Sequence, residues 1–386
     1  MKTHDPIAIV GMAGLFPGAF DLDQFWQLIA NRQSAIKEVP QRRWAASKSA
    51  IVTAELRPDK AYSSNCGLIE DFHFAPDGID LEGFAPSDLD PLLQITLHVG
   101  RETIASLKSG NLPRLRTSVI LAAIALPTEG ASALCRQLYS PSSFIPGIPS
   151  PRVNDDLTGS APSYAQRLSA RMVGLPAAML AQAFGLKGGA FTLDAACASS
   201  LYAVKLACDA LQSHQSDAVI VGGVSRPDCL YTQVGFSQLQ ALSPSGRCAP
   251  FDASADGLVV GEGAGMLILK RLDDALQAED AILGIVRGVG LSNDMRGNLL
   301  APDAQGQLQA METAYRNARW LPTDVDLIEC HGAGTPKGDQ TELDSLQRLW
   351  QDREWAPRQC PVGSVKSNIG HLLTAAGAAG LIKVLL

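Results

Sequence analysis

What most constrains this chain of 386 residues is that its apolar runs fall into two sets, each a series of strand-like segments leading to a helix that opens beside a reactive side chain. In the first set, Ile7-Ala8-Ile9-Val10-Gly11 reads as a strand, followed by a helix from Asp23 with Phe25, Leu28 and Ile29 on one face. A second helix, from Asp90-Pro91 to Leu107, carries Leu93, Leu97 and Ile104 on one stripe. It leads into Thr117 to Leu126, a nearly all-apolar run of the kind expected for a strand covered on both faces. Helix Pro176 to Phe184 closed by Gly185, strand Ala190 to Asp194, a helix from Cys197 to about Leu211, and strands Ala218 to Gly222 and Met266 to Leu269 complete the set. In the second set, strands Ile282 to Gly290, Asp326 to Cys330 and Pro361 to Val365 alternate with helices near Gln307 to Ala318, Asp339 to Trp350 and His371 to Leu386. The Ser-, Pro- and Asn-rich stretch Gln137 to Asp156 reads as the clearest long surface loop.

Such alternation specifies an α/β protein, a mixed or parallel sheet flanked by helices. Side by side, the sets look like one unit used twice, with halves at residues 5–270 and 271–386. Cys197 opens the last helix of the first half, and His371 stands at the corresponding place in the second. The first half continues into two more strands whereas the second stops at Leu386, so the expectation is that its C-terminal strands, roughly 40–60 residues, are missing. A chain ending there is expected to be marginally stable and nearly inactive alone. Met1 stands so close to the first motif that the unit is expected to be the first domain of a larger synthase.

Composition excludes several function classes. The chain has 32 Lys+Arg against 39 Asp+Glu, a net charge of −7, with no basic block to bind nucleic acid or an anionic membrane. Its eight cysteines are scattered without a C-x-x-C pair, as in a reduced, cytoplasmic protein. The N-terminal apolar run is broken by Gly11, Gly14 and Pro17, unlike a secretory signal. The stretch His371 to Leu386 carries Lys383 and falls short of the ~20 apolar residues of a membrane span, so it reads as a buried helix.

Three junctions can carry chemistry. Asp194-Ala195-Ala196-Cys197-Ala198-Ser199-Ser200 places a thiol at a strand-to-helix junction, where unpaired N–H groups and the helix dipole lower a thiol pKa. Local sequence leaves two readings of Cys197 open, a nucleophile or a small buried core residue. Cys330-His331-Gly332-Ala333-Gly334-Thr335 puts a histidine at a strand end entering a glycine-rich turn, a place for catalytic groups but equally for a structural histidine. Lys337 and these glycines do not have phosphate-loop spacing, and the dinucleotide pattern is also missing. Asp339 and Glu342 have the spacing of an N-cap and its third helical residue, so they read as a capping pair as readily as an acid/base couple. Ser364-Val365-Lys366-Ser367-Asn368-Ile369-Gly370-His371 brings a lysine and a second histidine to another junction, where a solvated lysine and a helix-start histidine are the plain alternative. No clustered Cys/His spacing points to a metal, and one thiol with two histidines suits nucleophilic acyl chemistry better than zinc.

Together with Ile7 to Met12, Val39 to Trp44, Gly246-Arg247-Cys248-Ala249-Pro250-Phe251-Asp252 and Gly261-Glu262-Gly263-Ala264-Gly265, these segments resemble a β-ketoacyl synthase. More narrowly, they resemble the ketosynthase domains of type I polyketide synthases and polyunsaturated-fatty-acid synthases. The resemblance runs from about residue 5 to the last residue. It implies a thiolase-like fold, five-layered α/β/α/β/α and made of two similar halves, and a homodimer. It implies decarboxylative Claisen condensation of an acyl group on Cys197 with a malonyl-type extender borne on the phosphopantetheine of an acyl carrier protein, beside further synthase domains. No bound cofactor or metal is expected.

Residue by residue, the resemblance makes Cys197 the acyl-accepting nucleophile and His331 and His371 the pair promoting decarboxylation. Lys366 is the lysine near that pair, Glu342 the acidic residue it meets, and Thr335 a threonine lining the phosphopantetheine channel. Four positions depart from the pattern. Ala195 and Ala198 flank the cysteine segment where threonine and serine are usual, Ala333 stands where threonine is usual, and Val260 occupies a place where arginine is common. The competing classes are a non-catalytic, chain-length-factor-like partner protein, which typically lacks the cysteine, a degradative thiolase, which pairs its cysteine with a histidine and a second cysteine, and a cysteine hydrolase.

Overall fold

The computed structural model describes residues 6–81, 83–138, 174–294, 302–350 and 358–386. Nearly all of the expected loop from Gln137 lies outside these residues; its first two, Gln137 and Leu138, end the helix Glu129–Leu138.

Ten strands are present among the described residues: β1 (Ile7–Leu15), β2 (Ile36–Glu38), β3 (Asn65–Gly67), β4 (Thr117–Ala123), β5 (Ala190–Leu193), β6 (Ala218–Ser225), β7 (Gly263–Arg271), β8 (Gly284–Val286), β9 (Ile328–Glu329) and β10 (Val362–Gly363). Six of them form one sheet in the order β5-β4-β6-β7-β1-β8. The β5-β4-β6 part is parallel, and β7, β1 and β8 continue it antiparallel. Every residue of β1, β4, β6 and β7 is buried. That explains why these strands read as continuous apolar runs rather than alternating ones: both faces are covered.

On one face, the helices Pro91–Ala105 and Leu175–Ala183 pack Leu93, Leu97 and Leu180 against Val119, Ile220 and Ile268. Asp90 caps the first of these, accepting from the Leu92 N–H at 2.9 Å just ahead of Pro91. On the other face lie the helices Ser199–Gln212 and Ala376–Leu385, with Val204, Leu211, Ala379 and Ile382 against Val219, Val221, Leu267 and Leu269. Layers of helices on both faces of a mixed sheet are the α/β architecture anticipated. No helix of the described residues is long and apolar enough to cross a membrane.

Two expectations need correction. The strand expected at Ile282 to Gly290 as the start of the second half's own sheet is the short β8, and it pairs with β1 at the edge of the first sheet, Ile7 opposite Val286. Its backbone groups find the open side of β1, so three strand residues join the existing sheet instead of founding another. Of the second half's strands, β9 and β10 pair with each other in parallel, Ile328 opposite Val362. Finally, neither reactive residue opens an α-helix. Cys197 is the middle residue of a 3₁₀ turn, Ala196–Ala198, and the α-helix starts at Ser199. His371 precedes a second such turn, Leu373–Ala375, and its α-helix starts at Ala376. The two junctions match closely, since Ala196 and Leu373 have φ of 51° and 50° at the first residue of each turn. The structural counterpart of Cys197 is therefore Thr374, three residues beyond His371.

Candidate active site

The two matching turns lie back to back. Ser200 of the first helix accepts from the Ala378 N–H of the second at 2.9 Å, and a side chain at Gly377 would stand 2.8 Å from Ser200 and Leu201. This packing brings the Cys197 junction up to the segment that carries Lys366 and His371.

Cys197 is half-buried on its turn. Asp194 shapes the turn, accepting from the Ala196 N–H with one oxygen and from the Ala125 N–H with the other, each at 2.9 Å. Ser199 closes it from the other side, its hydroxyl accepting from the Ala195 N–H at 2.7 Å and donating to the Ala196 carbonyl at 2.6 Å. Sequence reasoning does not single out Asp194, although an aspartate that bonds the N–H two residues on is a known turn signal. The thiol departs from the expectation of a lowered pKa. Burial pushes it above its ordinary value, and this outweighs the opposing pull of the Lys366 charge and of the backbone N–H.

His371 is held by backbone on both sides, its N–H donating to the Val259 carbonyl at 2.7 Å and its carbonyl accepting from the Gly261 N–H at 2.9 Å. Val260, between them, is buried in the cluster that holds Trp44, so at this position the chain spends its side chain on packing. The His371 ring is 1% exposed. Its Nδ1 accepts from the Leu373 N–H at 2.9 Å, which leaves the ring proton on Nε2. His331 stands opposite, ring centroids 5.3 Å apart and planes at 75°. Crowding by protein, then the Lys366 cation, hold the His331 ring below its ordinary pKa. Although His331 is open to solvent on one side, the nearby cation gives the same direction. For His371 the causes are burial, Lys366 and His331, in that order. Both rings are therefore neutral N–H donors at neutral pH.

Lys366 is the shared neighbour of these groups. It is 4% exposed, its ammonium donates to the His331 carbonyl, and its charge bears on Cys197 and on both imidazoles. Burial lowers its pKa, and Glu329, Cys197, Glu342 and Cys248 oppose that shift.

Glu342 and Asp339 take places the capping reading did not foresee. The helix begins at Pro336, so both lie inside it. Glu342 accepts from the His331 N–H at 2.6 Å and the Gly332 N–H at 2.8 Å. With its two oxygens committed to amides, it meets Lys366 through space rather than as a direct ion pair, and both grip the His331 backbone from different sides. Asp339 accepts from the Phe251 N–H at 2.8 Å and the Gly334 N–H at 3.2 Å, tying the segment around Cys248 to the turn after His331. That turn needs glycine at 334, where φ is 79° and a side chain would meet the Gly257 carbonyl at 3.0 Å. Thr335 is half-buried at the mouth of the helix, its carbonyl accepting from the Asp339 N–H at 2.9 Å. Cys197, His331, His371 and Lys366 thus converge, Glu342 and Asp339 support the histidine turn, and Thr335 stands at its end.

Comparisons with known proteins show what this chain is similar to. The family described as "Beta-ketoacyl synthase, N-terminal domain" matches residues 4–275, and "Beta-ketoacyl synthase, C-terminal domain" matches residues 283–386. Among curated proteins, one of the polypeptides of the phenolphthiocerol/phthiocerol polyketide synthase of Mycobacterium tuberculosis is 34% identical over all of this chain, which spans 17% of that protein. "Polyketide synthase PksL" of Bacillus subtilis is also 34% identical, with this chain spanning 8% of it. Among solved structures, "PfaC Keto synthase-Chain length factor" superposes with a TM-score of 0.85 at 36% identity, covering 99% of this chain and 41% of that one. "Ketosynthase from module 6 of the bacillaene synthase from Bacillus subtilis 168" does so with 0.80 at 32% identity, covering 99% and 60%. The shared fold is the thiolase-like α/β fold of ketosynthases.

Proposed function

Because the chain belongs to the β-ketoacyl synthase family, we propose that it catalyses decarboxylative Claisen condensation, with an acyl group on Cys197 and a malonyl-type extender as the second reactant. The observation that carries this reading is the pairing of two neutral imidazoles, His331 and His371, 5.3 Å apart, around the buried Lys366 that also acts on Cys197.

On this reading the steps are these. The Cys197 thiolate attacks the carbonyl of an acyl thioester and the carrier thiol leaves, so one reactant is held while the other arrives. Loss of CO₂ from the malonyl thioester leaves its electron pair on an enolate, whose oxygen the two imidazole N–H groups stabilise. The enolate carbon attacks the acyl-Cys197 carbonyl, and the tetrahedral oxyanion receives the Cys197 backbone N–H. Collapse expels the Cys197 thiolate and releases the β-ketoacyl thioester. Retention of the cysteine and both histidines favours this reading over a chain-length-factor-like partner.

The finer assignments rest on the same reading. Substrates arrive on the phosphopantetheine of an acyl carrier protein, with Thr335 along the entry, and further synthase domains act on the product. The halves at 5–270 and 271–386 each contribute one turn to the site. Eight free cysteines suit a reducing cytoplasm. A homodimer joins through β5, an edge strand whose Phe191 is 44% exposed.

Intact-protein mass after exposure to an acyl thioester tests the reading. One acyl adduct is expected, mapping to Cys197 and lost in Cys197→Ala. His331→Ala and His371→Ala should still load while malonyl decarboxylation falls about 10²–10³-fold. An adduct that persists in Cys197→Ala would refute the assignment.

A further inference from the structure

The proton on His371 Nε2 depends on a backbone N–H that only an unusual conformation can supply. Leu373 donates to His371 Nδ1 from φ of 50°, a left-handed conformation that L-residues rarely adopt. Such a conformation persists only where its surroundings over-determine it. Leu373 itself is 1% exposed, so no contact with water explains it.

The residue after it supplies the constraint. Thr374 is completely buried, and its hydroxyl donates to the Val224 carbonyl in β6 at 2.8 Å. The backbone there lies so close to β6 that a side chain at Gly223 would stand 2.5 Å from the Thr374 carbonyl oxygen. A turn pressed against the strand and tied to it by one hydroxyl cannot rotate its first residue without breaking that bond. The matching turn at Cys197 is held instead by Asp194 and Ser199. Thr374 thus takes the clamping role on the histidine side.

We propose that Thr374 is a positioning residue for His371: its hydroxyl locks the Leu373–Ala375 turn to β6, so that the Leu373 N–H occupies Nδ1 and the donor at Nε2 faces the reaction. The consequence for catalysis rests on the reading of His371 as an enolate-stabilising donor; the tautomer does not.

Long-range proton–nitrogen NMR of the full chain with ¹⁵N-labelled histidine reads the tautomer without any substrate, the His371 signal being the one lost in His371→Gln. The parent should show a single Nε2–H form. Thr374→Val, which keeps the shape and removes the donor, should show a mixture of tautomers, and Thr374→Ser should restore the single form. Thr374→Ala removes the same donor should the valine variant fail to fold. In parallel, Cys197 loading should continue at the parent rate in Thr374→Val. Malonyl decarboxylation should fall about 10–10²-fold, since ångström-scale misplacement of a reacting group can cost about 10². A single Nε2–H form in both the valine and alanine variants would overturn the proposal, whatever happens to the rates. A tautomer mixture in a chain whose parent decarboxylates nothing would uphold the positioning role and refute only the enzymatic reading.

Discussion

Burial lifts the Cys197 thiol above its ordinary value while the Lys366 ammonium works against that shift, so the thiolate available at neutral pH depends on one buried cation. The sign is definite: a thiol raised by burial reacts faster as pH rises towards its folded pKa, and loss of the cation moves that rise further into alkali. Lys366→Met should therefore displace the pH profile of iodoacetamide modification of Cys197 to higher pH. Peptide mapping separates Cys197 from the exposed Cys135. Coincident profiles for parent and variant would remove Lys366 from the activation of the thiol. The residues that gather at the candidate site are legible in sequence because each stands at an element end beside a distinctive turn. Their ionisation is not. The dipole argument for Cys197 is local, whereas burial comes from the surrounding fold, including the Leu373–Ala375 turn, remote in sequence, that packs against the Cys197 turn, and it is the larger influence here.

At the scale of the element, the Cys197 junction consists of a 3₁₀ turn between β5 and the Ser199–Gln212 helix, entered through Ala196 at φ of 51°. Nothing in the letters Ala195-Ala196 announces a left-handed residue, for which glycine is the usual sign. For that reason the helix read from sequence begins two residues early, and sequence alone pairs Cys197 with His371 rather than with Thr374. The carboxylate that fixes the turn, Asp194, bonds one N–H in the turn and that of Ala125 just past β4, so it ties the turn to the sheet. Asp194→Ala should slow acyl loading of Cys197 by about 10–10²-fold, since the cost is one of misplacement, with Asp194→Asn in between because its amide keeps one acceptor. Initial rates of adduct formation by mass measure this. A parent rate in Asp194→Ala would mean that Ser199 alone holds the turn.

At the scale of the whole molecule, the α/β class and most strands of the large sheet are legible because doubly covered strands are apolar throughout, while β8 is misplaced because its partner, β1, lies at the other end of the chain. The feature that ties remote segments together is equally invisible as a unit. Glu262, ahead of β7, is 2% exposed and accepts from Arg43 Nη1 at 3.0 Å, Arg43 Nη2 at 2.7 Å and the Ile69 N–H at 2.8 Å. Arg226, just past β6, stands 3.6 Å from it, and both arginines also reach Glu129 at the start of the Glu129–Leu138 helix. Burial would raise the Glu262 pKa, yet Arg226 and Arg43 overcome that and hold it below the ordinary carboxylate value. A carboxylate whose folded pKa is depressed stabilises the fold at every pH above its unfolded value, ~4.3, and loses that contribution as pH falls through the lower folded value. Glu262→Gln leaves two arginines beside an uncharged amide, and removing one partner of a buried pair costs about 3–5 kcal/mol. The variant should thus melt well below the parent at neutral pH, and the gap should narrow progressively as pH falls below ~4.3 and through the lower folded value, at which Glu262 of the folded parent also becomes neutral. Melting temperatures of both proteins from neutral to acid pH measure the gap. A gap that stays constant through that range would mean the carboxylate acts by shape alone, and that the fold is joined at this point by packing rather than by charge.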